Sequence, residues 1–531
     1  MKNKSIFLKV FCLLFIASFT ISCTDDLEVR SEDERFFSED KFYALPGAYE
    51  KAIAGVYSNL VITGPNGPQS SNLGGIDGGF SQYMRVWWYF QNMTTDETIW
   101  SYEANDLGTR ELNRTSWDGN NPFFRGFYSR AMYQVALCNE FLRQSTDAKL
   151  NSRPVTAAER QEIAKYRVEA RALRAMAYYH LMDTFGQATF LTEANQVGES
   201  GPTYSRTQLF NFIEAELLEV LPSLYAPNAA PYGRVDQGFA RMTLAKIYLN
   251  SSVYTGQAKN QECIDILNPI MGAYSLETNY RNNFNADNHN SNEMIFAVPS
   301  DGVRMQSYSA ITVIINGQVG NIEENGLDFG VSEGGWGGAL RVRKQFVQKF
   351  NGAEYTNDTR NTIISAGRPV DIANVEARDQ GYVIAKFSNK TASGANGSDQ
   401  TFPDTDYPMY RLGDAYLMYA EAQVRKDGTA NSTSLGYINA LRTRANNPNN
   451  NLTAADVTLN FLLDERSREL YWEGHRRQDL IRFDKFTGGS YNWAWKGNAI
   501  NGLSIPSYMK LFPFHPATLG SNPNLTQNPG Y

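Results

Sequence analysis

Apolar positions along this chain recur mainly at helical spacing. Three stretches share one design: "ARALRAMAYYHLMDTFG" at 170–186, "GFARMTLAKIYLNSSVYTG" at 238–256 and "RLGDAYLMYAEAQVRKDG" at 411–428. In the first, Ala170, Leu173, Ala177 and Leu181 make one stripe, and the spacing predicts a helix. Each stretch carries alanines that admit a close neighbouring helix, and each ends at a glycine suited to a C-cap. Two more helices are predicted: 207–221, which starts after Ser205 and stops at Pro222, and 457–473, which stops at Gly474. The stretch "SAITVIINGQ" at 309–318 reads instead as part of a strand pair.

Between the helices lie long irregular stretches at 61–82, 281–292, 299–340 and 389–407, dense in Gly, Asn, Ser and Asp. Loops of that length are seldom filler, and the Tyr and Trp residues they hold favour a functional surface. Small residues facing large ones suggest packed helical hairpins. Their placement resembles degenerate tetratricopeptide units, although the spacing is too irregular for an array of about 34 residues. No low-complexity linker divides the chain, so the expectation is one mostly α frame with a loop-built face.

The N-terminus has its own pattern. Lys2, Lys4 and Lys9 precede an apolar run from Val10 to Ile21, which is too short to cross a bilayer as a helix of roughly 20 residues but suits a secretory signal. Ser22 and Cys23 close the run as in the lipobox of bacterial lipoproteins, with Thr20 standing where leucine is usual. On that resemblance residues 1–22 are a lipoprotein signal peptide and Cys23 is the acylated mature N-terminus; with no linker to divide them, residues 23–531 are expected to form a single domain. More than one acyl chain on that cysteine would give a stable membrane anchor. The acidic Asp25, Asp26 and Glu28 resemble an export tag of cell-surface lipoproteins.

Composition narrows the partners. Net charge is −7, and no cluster of lysine and arginine is long enough to cover phosphates, so nucleic acid is not expected. With Cys12 in the leader and Cys23 acylated, Cys138 and Cys263 remain, both in apolar helical patterns that suit buried thiols. No phosphate-binding GK[ST] loop, CxxC pair or HExxH is present, and no cofactor is implied. "NFNADNHNSNE" at 283–293 and "DTD" at 404–406 offer oxygens, but without the spacing of an EF-hand loop, and Asn/Asp turns account for them.

The C-terminal third carries a family resemblance. "YPMYRLGDAYLMYAEA", "INALRTRA", "DERSRELYWEGHRRQDLIRFDKF" and the ending "LFPFHPATLGSNPNLTQNPGY" resemble the SusD/RagB family, as do "SNLGGIDGGFSQYMRVWWYFQNMTTDETIW" and "GFYSRAMYQVALCNEFL" nearer the start. The resemblance spans nearly all of the mature chain, with an N-terminal part of about 23–225 and a C-terminal part of about 226–531. It implies a superhelix of tetratricopeptide-like helix pairs with a loop-rich, glycan-binding face. It further implies an outer-membrane, lipid-anchored protein at the cell surface that works with a SusC-like TonB-dependent transporter. The segment 72–105 is most similar to the family's starch-binding founder. On that match Asp77 and Arg85 are ligand contacts, Tyr102 replaces a stacking Trp, and Asn105 follows three residues later. Trp336, flanked by four glycines, and Tyr308 match the remaining aromatics.

Sugar rings present C–H groups on a face and hydroxyls at the edge, so flat aromatics bordered by Asp, Arg and Asn suit them. Trp87 and Trp88 sit beside Tyr89 and Phe90 in an apolar run and read as core. Two other functions need weighing. Glu465, Glu469 and Glu473 at i, i+4, i+8 could approach the carboxyl spacing of a retaining glycoside hydrolase, but Arg466, Arg468, Arg476 and Arg477 crowd them, which favours ion pairing. A helical scaffold for peptide or protein ligands is the third. The expectation is a non-enzymatic binder of oligosaccharides, with starch-type α-glucan as the leading class.

Overall fold

A computed structural model describes residues 38–319 and 326–531. The expected signal peptide, acidic tag and acylated Cys23 lie outside the described residues. The longer helices, numbered along the chain, are α1 Ala48–Ser58, α2 Pro122–Gln144, α3 Ala157–Phe185, α4 Arg206–Val220, α5 Gln237–Leu249, α6 Asn260–Leu267, α7 Ala310–Gln318, α8 Leu412–Asp427, α9 Ser432–Arg444, α10 Leu459–Leu470 and α11 Arg476–Arg482.

Their ends follow capping chemistry. α3 starts well before residue 170, because Thr156 and Glu159 form a reciprocal capping box, and it ends at Gly186 in the left-handed region. Ser205 and Gln208 make the same box for α4. The 238–256 stretch splits at Asn250 into α5 and the single turn Ser251–Thr255, which Gly256 closes. α10 stops at Leu470, short of the predicted end at 473. Trp472 takes a positive φ of 62° there, which drops its ring edge-on to Trp88 at 5.9 Å and aims Glu473 into the interior.

The stretch 309–318 is a helix, α7, and not a strand. Ser309 caps it by accepting the Thr312 N–H, and every residue from Ala310 to Gln318 is buried. A continuous apolar run has no polar side to reveal its period, and β-branched residues bias the reading towards strand. Burial on all sides settled this segment, against its local propensity.

Packing passes from helix to helix: α2 lies on α3, α3 on α4, α5 on α6, α6 on α8, and α8 on both α9 and α10. The alanines of α3, Ala170, Ala172, Ala175 and Ala177, are fully buried, as close approach requires. One apolar core runs from Tyr43 to Leu525 and takes in Trp87 and Trp88. Cys138 and Cys263 are free buried thiols, and burial pushes Cys138 up to about 12. Two short antiparallel pairs tie distant segments: β1 Thr98–Trp100 with β3 Leu340–Val342, and β2 Met294–Val298 with β4 Tyr407–Arg411. Among the described residues no helix is long and apolar enough to cross a membrane.

A charged layer lies inside the frame. Arg411 bonds Glu293 and Glu469 from Nη1, each at 2.7 Å, and Glu473 from Nε at 2.6 Å. Arg360 reaches Glu465 at 2.9 Å and Glu469 at 3.2 Å, and Lys386 reaches Glu473 at 2.7 Å. The side chains of Glu465, Glu469 and Glu473 have no accessible surface, so the hydrolase reading fails: no scissile bond can reach them, and each carboxylate is already paired. The pairs span separate elements rather than trimming helix ends, which is why spacing along one helix did not reveal them.

Breaking a buried pair leaves a bare charge and costs about 3–5 kcal/mol. Burial alone would raise the Glu465 carboxyl, but Arg360, Arg468 and Arg442 outweigh it and hold it at about 2. A depressed carboxyl stabilises the fold above its unfolded value and loses that effect as pH falls through the folded value. Glu465→Gln should therefore cost about 3–5 kcal/mol at pH 7 in denaturant unfolding, and the gap to wild type should shrink between about pH 4.5 and pH 2. A gap that does not change over that range would contradict the ion-pair account.

Candidate functional site

Five of the six residues expected to form a site line one cleft of about 470 Å³: Asp77, Arg85, Tyr102, Tyr308 and Trp336. Asn105 is exposed on the same loop as Tyr102 and lies outside the lining. The lining also includes Trp100, Asp106 and Gln69, which sequence reasoning missed. A larger hollow of about 700 Å³ sits between residues 43–50 and 154–166. Its apolar lining includes three glutamates but no cation or side-chain amide, so it suits a hydroxylated ligand less well.

One wall comes from the turn before the Trp87 helix. Asp77 caps the short helix Gly78–Ser81, its Oδ1 accepting the Gly79 N–H at 2.7 Å. Gln82 accepts the Arg85 N–H at 2.6 Å and donates to the carbonyls of Leu60 and Val61, which fixes this turn on the frame. Arg85 donates from Nε to the Tyr89 hydroxyl at 2.9 Å. Its Nη groups make no hydrogen bond among the described residues and face the cleft beside Asp77. A Cβ on Gly79 would stand 3.3 Å from Arg85 Nη1 and 3.0 Å from Asp77 Oδ1, so glycine keeps that gap open. The two side chains form no ion pair with each other, which leaves Asp77 Oδ2 and the Arg85 Nη groups without a hydrogen bond among the described residues.

The opposite wall is built by the β1–β3 pairing. Trp100 stands opposite Leu340, and the Ser101 N–H donates to the Ala339 carbonyl at 2.8 Å, so the 102–106 and 334–338 loops leave the pair side by side. Trp100 is held on three sides: Asn113 accepts its N–H and donates to its carbonyl, and Asp106 accepts its indole N–H at 2.6 Å. Its ring supports the others, edge-on to Tyr102 at 5.8 Å and to Trp336 at 6.2 Å. Tyr308 lies 6.4 Å from Trp336 with the planes at 37°. Tyr102 and Trp336 are both half-buried, with their inner sides on the core. Trp100 and Tyr102 are two residues apart, the strand period, and that spacing was the signal for a shared face.

Buried cations stiffen this wall. Arg341 donates to the carbonyls of Ala377 at 2.5 Å and Gln380 at 2.6 Å, and Arg343 to those of Thr98 at 2.9 Å and Asn113 at 2.7 Å. Burial pushes their guanidiniums down to about 10 and about 9, which leaves both charged at neutral pH. Near the cleft, burial raises the Tyr89 phenol despite Arg85. The oxygen-rich turns are spent on backbone: Asp404 accepts the N–H groups of Gly302 and Ser398, and Asp406 that of Ser300. Among the described residues no group of His, Cys, Asp and Glu could hold a metal ion.

Comparison with known proteins agrees with this architecture. Residues 341–531 match the model of the SusD family. The chain is 32% identical over 572 aligned positions to the starch-binding protein SusD of Bacteroides thetaiotaomicron, covering 97% of each. A solved SusD homologue from the same species superposes with a TM-score of 0.70 at 17% identity, covering 93% of this chain and 98% of that one. The surface glycan-binding protein A of that species, solved with laminarihexaose, gives 0.68 at 20% identity, covering 91% and 99%. Extensive identity to a curated member, the family-model match and the shared helical frame together place this chain in the SusD family, whose members bind carbohydrate without catalysis.

Proposed function

We propose that this protein captures oligosaccharides at the cell surface in the Asp77/Arg85/Tyr102/Trp336 cleft, with starch-type α-glucan the leading class. It would pass them to a SusC-like TonB-dependent transporter while held to the outer membrane by lipid on Cys23. The observation that carries the reading is the convergence of three aromatic rings with the free Oδ2 of Asp77 and the free Nη groups of Arg85 on one open cleft. Tyr102 and Trp336 would take the C–H faces of sugar rings, and Tyr308 would extend the surface. Asp77 and Arg85 would bond edge hydroxyls, charged groups making the stronger bonds. Asn105, exposed on the 102–106 loop, would reach a longer ligand from outside the lining.

Geometry also favours a bent chain. The Tyr308 and Trp336 planes diverge by 37°, so a glycan lying on both must turn between them. Helical α-glucans turn in this way, and flat β-1,4 chains do not. Binding in so shallow a site should be roughly micromolar to millimolar, which suits release to a transporter.

Native gels containing starch, pullulan, laminarin, xylan or hydroxyethylcellulose test the reading. Wild type should be retarded by the bent glucans and ignore hydroxyethylcellulose, and Tyr102→Ala and Trp336→Ala should each weaken retention roughly tenfold. Equal retardation of the double variant and wild type would remove the site. For the anchor, Cys23→Ala should shift the protein from the membrane fraction to the soluble one and abolish incorporation of labelled palmitate. Unchanged labelling would refute lipidation there.

A further inference from the structure

The hydroxyl of Tyr102 is already spent on the protein. It donates to the Trp336 carbonyl at 2.5 Å and accepts from Arg378 Nη1 at 2.8 Å. The same nitrogen donates to the Gly337 carbonyl at 3.3 Å, and the Arg378 guanidinium carbon lies 5.2 Å from the centroid of the Tyr102 ring, over it. One side chain thus touches the phenol, one ring face, and the turn that carries Trp336. Room for it is reserved: Gly337 has φ of 62°, and a Cβ there would stand 2.6 Å from Arg378 Nη1 and 3.3 Å from the Tyr102 hydroxyl. A side chain at 337 would force the guanidinium to shift and would be strained at this φ.

Arg378 is itself held from behind. Arg341 clamps the carbonyls of Val375, Ala377 and Gln380, which pins the backbone on both sides of residue 378 to β3. On the same bracket Glu376 accepts the Ala104 N–H at 2.8 Å, so the loop after Tyr102 is tied there too. Trp495 donates its indole N–H to the Ile372 carbonyl at 2.9 Å and closes the far end. On the other side the turn is fastened by the Trp336 N–H to Asn316 at 2.9 Å and by the Gly338 N–H to Val319 at 2.5 Å.

Resting on the glycan-binding reading, we propose that Arg378 is the positioning residue that locks Tyr102 and the 336–338 turn into one rigid stacking surface. Tyr102 then offers sugar a single ring face and no hydroxyl proton, and the polar recognition falls to Asp77 and Arg85 across the cleft. Preorganisation of this kind raises affinity by removing the cost of ordering two loops on binding.

The test is a double-variant cycle on starch affinity, from gel retardation at graded starch concentrations, with Tyr102→Phe, Arg378→Met and both together. Each single change should weaken binding about threefold to tenfold, and the pair should be little worse than the weaker single variant, because both act through one brace. Arg378→Lys should recover part of the loss, since an ammonium can still donate to the phenol. Multiplying losses would mean that the hydroxyl contacts sugar by itself, and wild-type affinity in Arg378→Met would mean that the brace does not matter; either overturns the proposal. Amide hydrogen exchange gives a reading that needs no glycan: Trp336 and Gly338 should exchange faster in Arg378→Met at an unchanged unfolding midpoint, and unchanged exchange also overturns it. Wild type that ignores every glycan would instead remove the functional reading, with exchange still deciding the brace.

Discussion

Three residue pairs, Thr98 with Val342, Ile99 with Arg341 and Trp100 with Leu340, set the geometry on which the cleft depends. They join segments more than two hundred residues apart, and nothing local in either segment would make them a sheet. A two-stranded pair this short is not stable by itself in water. It persists because Arg341 and Arg343 project from β3 and its end into buried positions and bond backbone carbonyls of the surrounding loops. Those carbonyls would otherwise be buried with few partners, which costs more than the net worth of an ordinary hydrogen bond. The cation is the staple.

The frame shows the same preference for ionic fastening. Arg411 at the end of β4 gathers carboxylates from Glu293, Glu469 and Glu473, so that the strand pair and α10 meet at one guanidinium. Removing one partner from such a network strands a buried charge, although apolar packing of the same volume could supply equal stability. The glycines matter at two points: at Gly79 and Gly337 a side chain would intrude on the guanidiniums of Arg85 and Arg378.

Much of this was legible in the chain, for reasons that differ by element. The helices showed because alanine stripes end at glycines with room for the left-handed region, as at Gly186 and Gly428. α7 was hidden because full burial erases the polar face that marks a period. Asp77, Arg85, Tyr102, Tyr308 and Trp336 were singled out by resemblance and meet in one cleft. Trp100 and Arg378 were not, since one is a supporting ring under the surface and the other lies 276 residues from the tyrosine it holds. The Arg378 brace is set by tertiary pairing, which no local pattern records, whereas Trp100 shows only in its two-residue spacing from Tyr102.

Function in this account comes from rings held outward by a stiff frame, with one face of each left to water. The most direct measurement is a crystal structure of the protein with maltoheptaose. The account predicts glucose rings lying on Tyr102 and Trp336 with hydroxyls bonded to Asp77 and Arg85, and the tyrosine hydroxyl still on the Trp336 carbonyl. Sugar bound in the hollow between residues 43–50 and 154–166, with the Trp336 cleft empty, would contradict it.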